Sequence, residues 1–195
     1  MRGLLGYQME SSINSAALAL AIRAAWSAAS KDLYRAHLSC VQVVASGGKV
    51  SVNATDGHRL HRVTFAGIGE FAHLFLIPKK VSKTAIATIE GCALVLSDGP
   101  SVTRFDARFD GVQYPDVLAV LPKPVSRAYA GPIGLNAGYV SDACASGAMV
   151  ASKKTGQVAV TIGTDSLSPV NVDAQSVEFS ELDLRFTAVV MPIRI

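Results

Sequence analysis

Cysteine is scarce in this sequence. Cys40, Cys92 and Cys144 are the three in 195 residues, far apart and without a Cys-x-x-Cys pair. That spacing excludes a disulfide framework and a thiolate zinc site, fits a reducing cytosol, and leaves all three as packing residues. His37, His61 and His73 show no metal-ligand spacing, so no metal and no cofactor is expected. Motifs of catalysis are missing too: there is no His-Glu-x-x-His, no P-loop, no Gly-x-Gly-x-x-Gly and no Ser or Cys nucleophile motif. Asp56 and His58 have the residue types of an orienting acid and a base. They are neighbours on one turn with no nucleophile beside them, so the chain is not expected to be an enzyme. Long apolar runs are lacking as well. The alanine-rich stretch 15–29 is interrupted by Arg23 and flanked by polar residues, which excludes a convincing membrane span or signal peptide. Nor is there a large excess of one charge: the net charge of +3 is small for a strong nucleic-acid binder, so what matters is where the positive charges lie.

With 50% hydrophobic residues, the chain can bury a core and form one large or two small domains. From Ser11 or Ser12 as N-cap, Ala16, Leu18, Leu20, Ile22 and Trp26 predict an amphipathic helix ending near Ser30. Strands are expected over 38–45, 49–54, 59–66 and 71–77. Pro78 then opens a second helix whose apolar face is Val81, Ala85, Ile86 and Ile89, ending at Gly91. A hairpin over 93–97 and 101–109 follows, then a Pro-rich connection through Pro115, Pro122 and Pro124. Beyond it lie a strand at 129–135, an Asn136 cap, a short helix over 137–146 weakened by Gly138 and Gly147, and strands at 149–152, 158–163, 169–173 and 186–191. The fold class is α+β: a helix followed by strands, three times over, in units of roughly 60 to 65 residues. A boundary near Lys123 divides a domain of two units (1–123) from a domain of one (124–195).

Two segments stand out. Asp56-Gly57 is a strong tight-turn signal, since Gly accepts positive φ and Asp can bond its own backbone, so His58, Arg59 and Leu60 leave it at a fixed angle. The tail Met191-Pro-Ile-Arg-Ile195 is apolar with one Arg inside it, unlike a frayed polar end, and is expected to pack against the body.

These residues resemble a known family. Asn53-Ala-Thr-Asp-Gly-His-Arg-Leu60 is similar to the middle-domain signature of the bacterial DNA polymerase III beta sliding clamp, and Ile77-Pro-Lys-Lys80 to the start of that domain's second helix. Phe109-Asp-Gly-Val-Gln-Tyr-Pro-Asp116 with Val120-Leu-Pro122 resembles its Asp-Gly-x-Phe-Pro-Asp segment, and Val189-Val-Met-Pro-Ile-Arg-Ile195 its C-terminus. Residues 8–122 resemble the whole middle domain, and residues from Ala130 onward only the second half of the last. The family's first domain and half of its third have no counterpart.

The resemblance implies a DNA-clamp fold, with antiparallel sheets outside and helices lining a ring. It implies a processivity factor that encircles duplex DNA without reading sequence and does no chemistry. Since the family ring has roughly twelve half-domains, a chain of three would need four copies, a homotetramer in which the unpaired half meets its like in a neighbour. Arg23, Lys31, Lys79, Lys80 and Lys83 are the candidate phosphate contacts, with Lys153 and Lys154 as additions and Asp142 on the third helix opposing them. By spacing alone these bases read as solvated helix faces.

The resemblance also implies a groove that captures short peptides of DNA polymerase and other clamp-binding proteins. One side would be Arg35, Leu38, Thr55, Gly57, His58, Leu60, Pro115 and Val120. The other would be Asn136, Tyr139, Leu167, Val189, Met191, Pro192, Ile193 and Arg194. Leu, Pro and Met make an adaptable apolar pocket and Arg and His a polar rim, although each aliphatic taken alone reads as core. Ile193 and Ile195 stand where the family has Met and Leu, and the stiffer Ile193 would alter peptide preference. A clamp loader is a further expected partner, a membrane is not, and the expected location is the cytoplasm at the nucleoid. The rival reading is a non-encircling decoy that binds a host clamp or its loader; a hydrolase using Asp56 and His58 is a distant third.

Overall fold

The computed structural model describes residues 12–78, 80–108, 113–121, 130–151 and 156–193. In chain order the elements are α1 (Ser15–Ala25), β1 (Val41–Ser46), β2 (Lys49–Thr55), β3 (Arg59–Ala66), β4 (Phe71–Phe75), β5 (Ile86–Glu90), β6 (Ala93–Asp98), β7 (Ser101–Asp106), α2 (Ala137–Ala151), β8 (Ala159–Ile162), β9 (Val170–Gln175) and β10 (Arg185–Val190). Seven strands form one antiparallel sheet in the order β4-β1-β2-β3-β10-β9-β8, and β5-β6-β7 form a second.

α1 begins later than its serines predict. Asn14 is the cap: its Oδ1 accepts from the amides of Ala16 at 3.1 Å and Ala17 at 3.0 Å, taking up two of the helix's unpaired donors. Ser12 instead exchanges backbone bonds with Ile68, and Ser11 lies outside the described residues. The helix is also not amphipathic. Ala17 to Ile22, Ala24 and Ala25 are all buried, because β2 and β3 lie beneath it, β5 on one flank and α2 on another. Apart from Arg23 the body of the helix is apolar around its circumference, as suits a helix enclosed by neighbours.

Period-two alternation explains the large sheet. Val41, Val43, Val50, Val52, Val63, Phe65, Phe186 and Ala188 face the helices and join one core, while the intervening residues face outward. The β3–β10 ladder sets Leu60 opposite Val189 and Arg62 opposite Thr187. It joins the first and last thirds of the chain in one sheet. The boundary expected at Lys123 lies outside the described residues.

Among its described residues the second unit has no helix, against expectation. The described residues of 78–85 are extended or turning, and the expected helical run continues as strand β5. β-Branched Ile86, Thr88 and Ile89 pair with β6, and Ala85 and Ala87 are buried while Ile86 is exposed, so strand period overrode a loose helical spacing. The strand expected at 129–135 appears in its described part as a single bridge, Gly134 to Ile193. The one expected at 149–152 is helical, because α2 runs on to Ala151.

Gly147 lets α2 sit close on the sheet. A Cβ built there would lie 2.8 Å from Val158 Cγ1 and 3.3 Å from Phe186 Cδ1. Gly147→Val is therefore expected to cost about 1–3 kcal/mol by overpacking, read as a lower urea midpoint with unchanged slope. A midpoint equal to the native one would show that this contact yields freely.

Candidate functional site

The β2–β3 turn is held by its own side chains. Gly57 has φ +93°, where a side chain would be strained. Asp56 Oδ1 accepts from the amides of His58 at 2.9 Å and Arg59 at 3.1 Å. Thr55 Oγ1 donates to the Arg59 carbonyl at 2.6 Å and accepts from the Gly57 amide at 3.1 Å. Alternation then sends Leu60 to the outer face of the sheet and Arg59 toward the helices.

Arg59 is buried and fully engaged. Its Nε meets Asp56 Oδ2 at 3.1 Å, its Nη1 meets Asp142 Oδ2 on α2 at 2.5 Å, and its Nη2 donates to the Ser27 carbonyl just past α1 at 2.7 Å. The guanidinium also lies 4.4 Å from the centre of the Tyr139 ring, a cation–π contact. One side chain thus fixes the turn against both helices. Sequence reasoning missed this role, and it saw Asp142 only as a charge opposing a basic lining.

Two further segments converge on the turn. Beyond β10, the Met191 amide donates to the His58 carbonyl at 3.0 Å and the Ile193 amide to the Gly134 carbonyl at 2.9 Å, so the apolar tail is tied down through Ile193. Residues 113–121 cross the outer face, where Tyr114 and Val117 pack with Leu38, Cys40, Leu60, Leu74 and Val189 in a second small core. Burial pushes the Cys40 thiol up to about 11 and raises the Tyr114 phenol, so both stay neutral in the small core.

Between these segments lies an apolar groove of about 200 Å³, lined by Thr55, Gly57, Arg59, Leu60, Pro115, Asp116, Val117, Val120, Val189 and Met191. Seven of these were expected from the sequence; Arg59, Asp116 and Val117 were not. The strand parity that turns Leu60 outward offered no sign of Asp116 or Val117, which sit in an irregular segment. Leu38 lies below the groove in the small core. Arg35, His58 and Tyr139 line a neighbouring charged cavity of about 320 Å³ with Lys31, Asp32, Asp56 and Arg59. Asn136 caps α2, its Oδ1 accepting from the Gly138 amide at 2.9 Å. Pro192 and Ile193 continue from Met191. Leu167 is exposed in the 163–169 connection and lines neither cavity. Arg194 lies outside the described residues.

The described basic candidates do not form a helix face. Arg23 is half-buried, with Nε 3.0 Å from Met149 Sδ and Nη1 donating to the Ser82 carbonyl at 3.1 Å. Burial lowers its pKa, against the opposing pull of Glu178. It ties α1 to α2 and to the segment before β5, and it is the one basic residue in the two helices. The exposed positions Ser141 and Ala145 of α2 are uncharged. Lys80 and Lys83 are exposed on the extended segment before β5, and Lys31 borders the cavity at His58. Lys79, Lys153 and Lys154 lie outside the described residues. Among the described residues no cluster of His, Cys, Asp and Glu could hold a metal ion, and no helix is long and apolar enough to cross a membrane.

No protein-family model and no curated protein sequence matches the chain. Solved structures do match. The sliding clamp of Pseudomonas aeruginosa with ligand superimposes with TM-score 0.65 at 19% identity, over 94% of this chain and 66% of that one. The C. crescentus beta sliding clamp gives 0.65 at 18%, over 100% and 68%, and the Helicobacter pylori beta clamp bound to a DNA ligase peptide gives 0.66 at 13%, over 100% and 68%. The chain has the DNA sliding-clamp fold and spans about two thirds of the length of the clamps it matches.

Proposed function

We propose that the chain is a non-catalytic tethering protein of the sliding-clamp type, which captures short peptides of a DNA polymerase or repair protein in the groove between the β2–β3 turn, residues 115–120 and Met191. The observation that carries this reading is the convergence of three segments distant in sequence on one apolar groove, with Thr55, Leu60, Val189 and Met191 all contributing. Leu60 and Val189 are held by the ladder, and Val120 and Met191 are 45% and 40% exposed at its mouth, a preformed floor with an adaptable rim. The DNA ligase peptide bound by the Helicobacter pylori clamp supplies a probe. Replacing Met191 and Pro192 by Ala is expected to weaken that peptide at least tenfold, about 1.4 kcal/mol, with the thermal midpoint unchanged. Equal affinity in the variant and the native chain would remove the groove from the function.

For DNA, the proposed assembly is a homotetrameric ring around duplex DNA, four copies supplying the half-domains that one chain lacks. Lys80, Lys83 and the lysines at 79, 153 and 154 are then the phosphate contacts, and a clamp loader is the partner that would open the ring. The buried α1 and the exposed face of α2, which carries the half-exposed Asp142 and no basic residue, favour a second reading, a non-encircling clamp-like protein that binds a host clamp or its loader. Retention on nicked circular DNA with release on linearisation distinguishes them, because only a closed ring depends on free ends. Light scattering at the 20.4 kDa monomer mass would exclude the tetramer.

A further inference from the structure

The outer face of the seven-stranded sheet continues past the groove as a polar trough. Leu60 floors the groove, and two residues along the same strand Arg62 floors the trough, about 7 Å further on by strand geometry. The ladder aligns Gln42, Asn53, Arg62 and Thr187 across four adjacent strands. Gln42, Asn53 and Arg62 line an open cavity of about 420 Å³, whose cover, Pro115, Asp116 and Val117, is also one wall of the apolar groove.

The charges in this trough are unbalanced. Nearby polar groups are already committed: Asn53 Nδ2 donates to Gln42 Oε1 at 3.0 Å, Thr187 Oγ1 donates to Asp173 Oδ1 at 2.7 Å, and Asp116 Oδ1 accepts from the Leu118 amide at 2.9 Å. Arg62 is half-buried, and no carboxylate forms an ion pair with it among the described residues. Burial alone lowers its pKa, with no acidic neighbour acting the other way. Asn53 is 1% exposed and its Oδ1 has no partner. A guanidinium half-withdrawn from water, with five donors and no carboxylate paired to it among the described residues although Asp116 and Lys49 also line the trough, suits a further carboxylate, which accepts two of those donors side by side.

We propose that the trough at Arg62 is a second subsite of the peptide groove and takes the carboxylate of a Glu or Asp flanking the apolar anchor of a captured peptide. The proposal rests on the groove reading above. It follows from continuity: the two cavities share one wall and one strand, so a peptide whose apolar side chain sits over Leu60 has its flanking residues within reach of Arg62. The apolar groove supplies affinity, and Arg62 selects partners with an acid beside the anchor.

The test uses the native chain and end-capped copies of the DNA ligase peptide, in which a single Glu is moved through the positions flanking its apolar residues beside Gln controls. At one or two positions Glu is expected to bind about tenfold tighter than Gln, the worth of one charge-assisted pair. Arg62→Gln should abolish that preference without changing the affinity of the Gln peptides, and Arg62→Lys should restore part of it. If the peptides bind and no Glu position is preferred, the subsite is refuted while the groove stands. Should every Glu copy bind more weakly than its Gln control, the trough repels an anion and the subsite is refuted. If the ligase peptide itself fails to bind, the groove reading fails first.

Discussion

Arg59→Ala is expected to lose about 3 kcal/mol of stability and to weaken peptide capture, although most of Arg59 lies behind the groove wall. The change would leave Asp56, whose side chain is only 14% exposed, buried without its cation, and the Ser27 carbonyl without its charged donor. Breaking a buried ion pair by removing one partner typically costs about 3–5 kcal/mol. The lower end applies here because the Asp142 side chain is 47% exposed and regains water. For a domain of this size, such a loss lowers the thermal midpoint by roughly 6–12 °C. Arg59→Lys keeps the charge but cannot reach Asp56, Asp142 and Ser27 together, so an intermediate loss is expected. The coupling is measurable: Asp142→Asn should cost less in the Arg59→Ala background than in the native one. Additive effects would mean that the turn and α2 are not joined through this side chain. Peptide affinity should fall with stability, because Arg59 forms part of the groove wall and fixes the turn from which Leu60 leaves.

Much of this was legible in the chain because it was written locally. Asp56-Gly57 predicts its own turn, since the side chain that closes it and the residue that permits its φ are adjacent. Alternating valines in 41–45 and 50–54 predict strands and the face each buries. The groove was legible only through the family resemblance, since nothing at Val189 or Met191 by itself distinguishes a groove lining from a core residue. What was missed depends on distance. Asn14 outcompeted Ser12 as the cap because Ser12 was taken by Ile68 from another segment. The helix expected after Pro78 failed because β6 offered Ile86 to Ile89 a ladder, which helical spacing could not foresee. Gly147 looked like a weakness of α2 and is instead the point at which Val158 and Phe186 come close. The basic set was the least legible part. Arg23 is a base on a helix, as a phosphate contact would be, but Met149 and the Ser82 carbonyl engage its guanidinium and hold it half-buried.

His61 is expected to make the fold acid-sensitive by about 3 kcal/mol between pH 6.5 and pH 4. It sits on the core-facing side of β3 with no exposed surface. Its Nδ1 lies 3.2 Å from the Ala24 carbonyl and 3.2 Å from Ser27 Oγ, and its Nε2 has no partner. Its ring meets Phe186 edge-on, 5.4 Å between centroids. Burial lowers its pKa to about 4, outweighing the Ala24 carbonyl, which pulls the other way. In the unfolded chain the imidazole titrates near 6.5. Above that pH both states are neutral and His61 contributes no pH dependence. As pH falls below it, the unfolded chain binds a proton that the folded one refuses, and stability drops at about 1.4 kcal/mol per unit until the folded imidazole itself protonates near pH 4. Carboxylates titrate in the lower part of this window, so the native chain alone cannot isolate the effect. Comparison with His61→Gln does, because Gln keeps a polar group near Ala24 and Ser27 and does not titrate. Between pH 7 and pH 4.5 the native chain should lose roughly 2–3 kcal/mol more than the variant in urea titrations. Parallel losses would mean that water reaches the imidazole, and that the interface of α1 with the sheet opens before the protein unfolds.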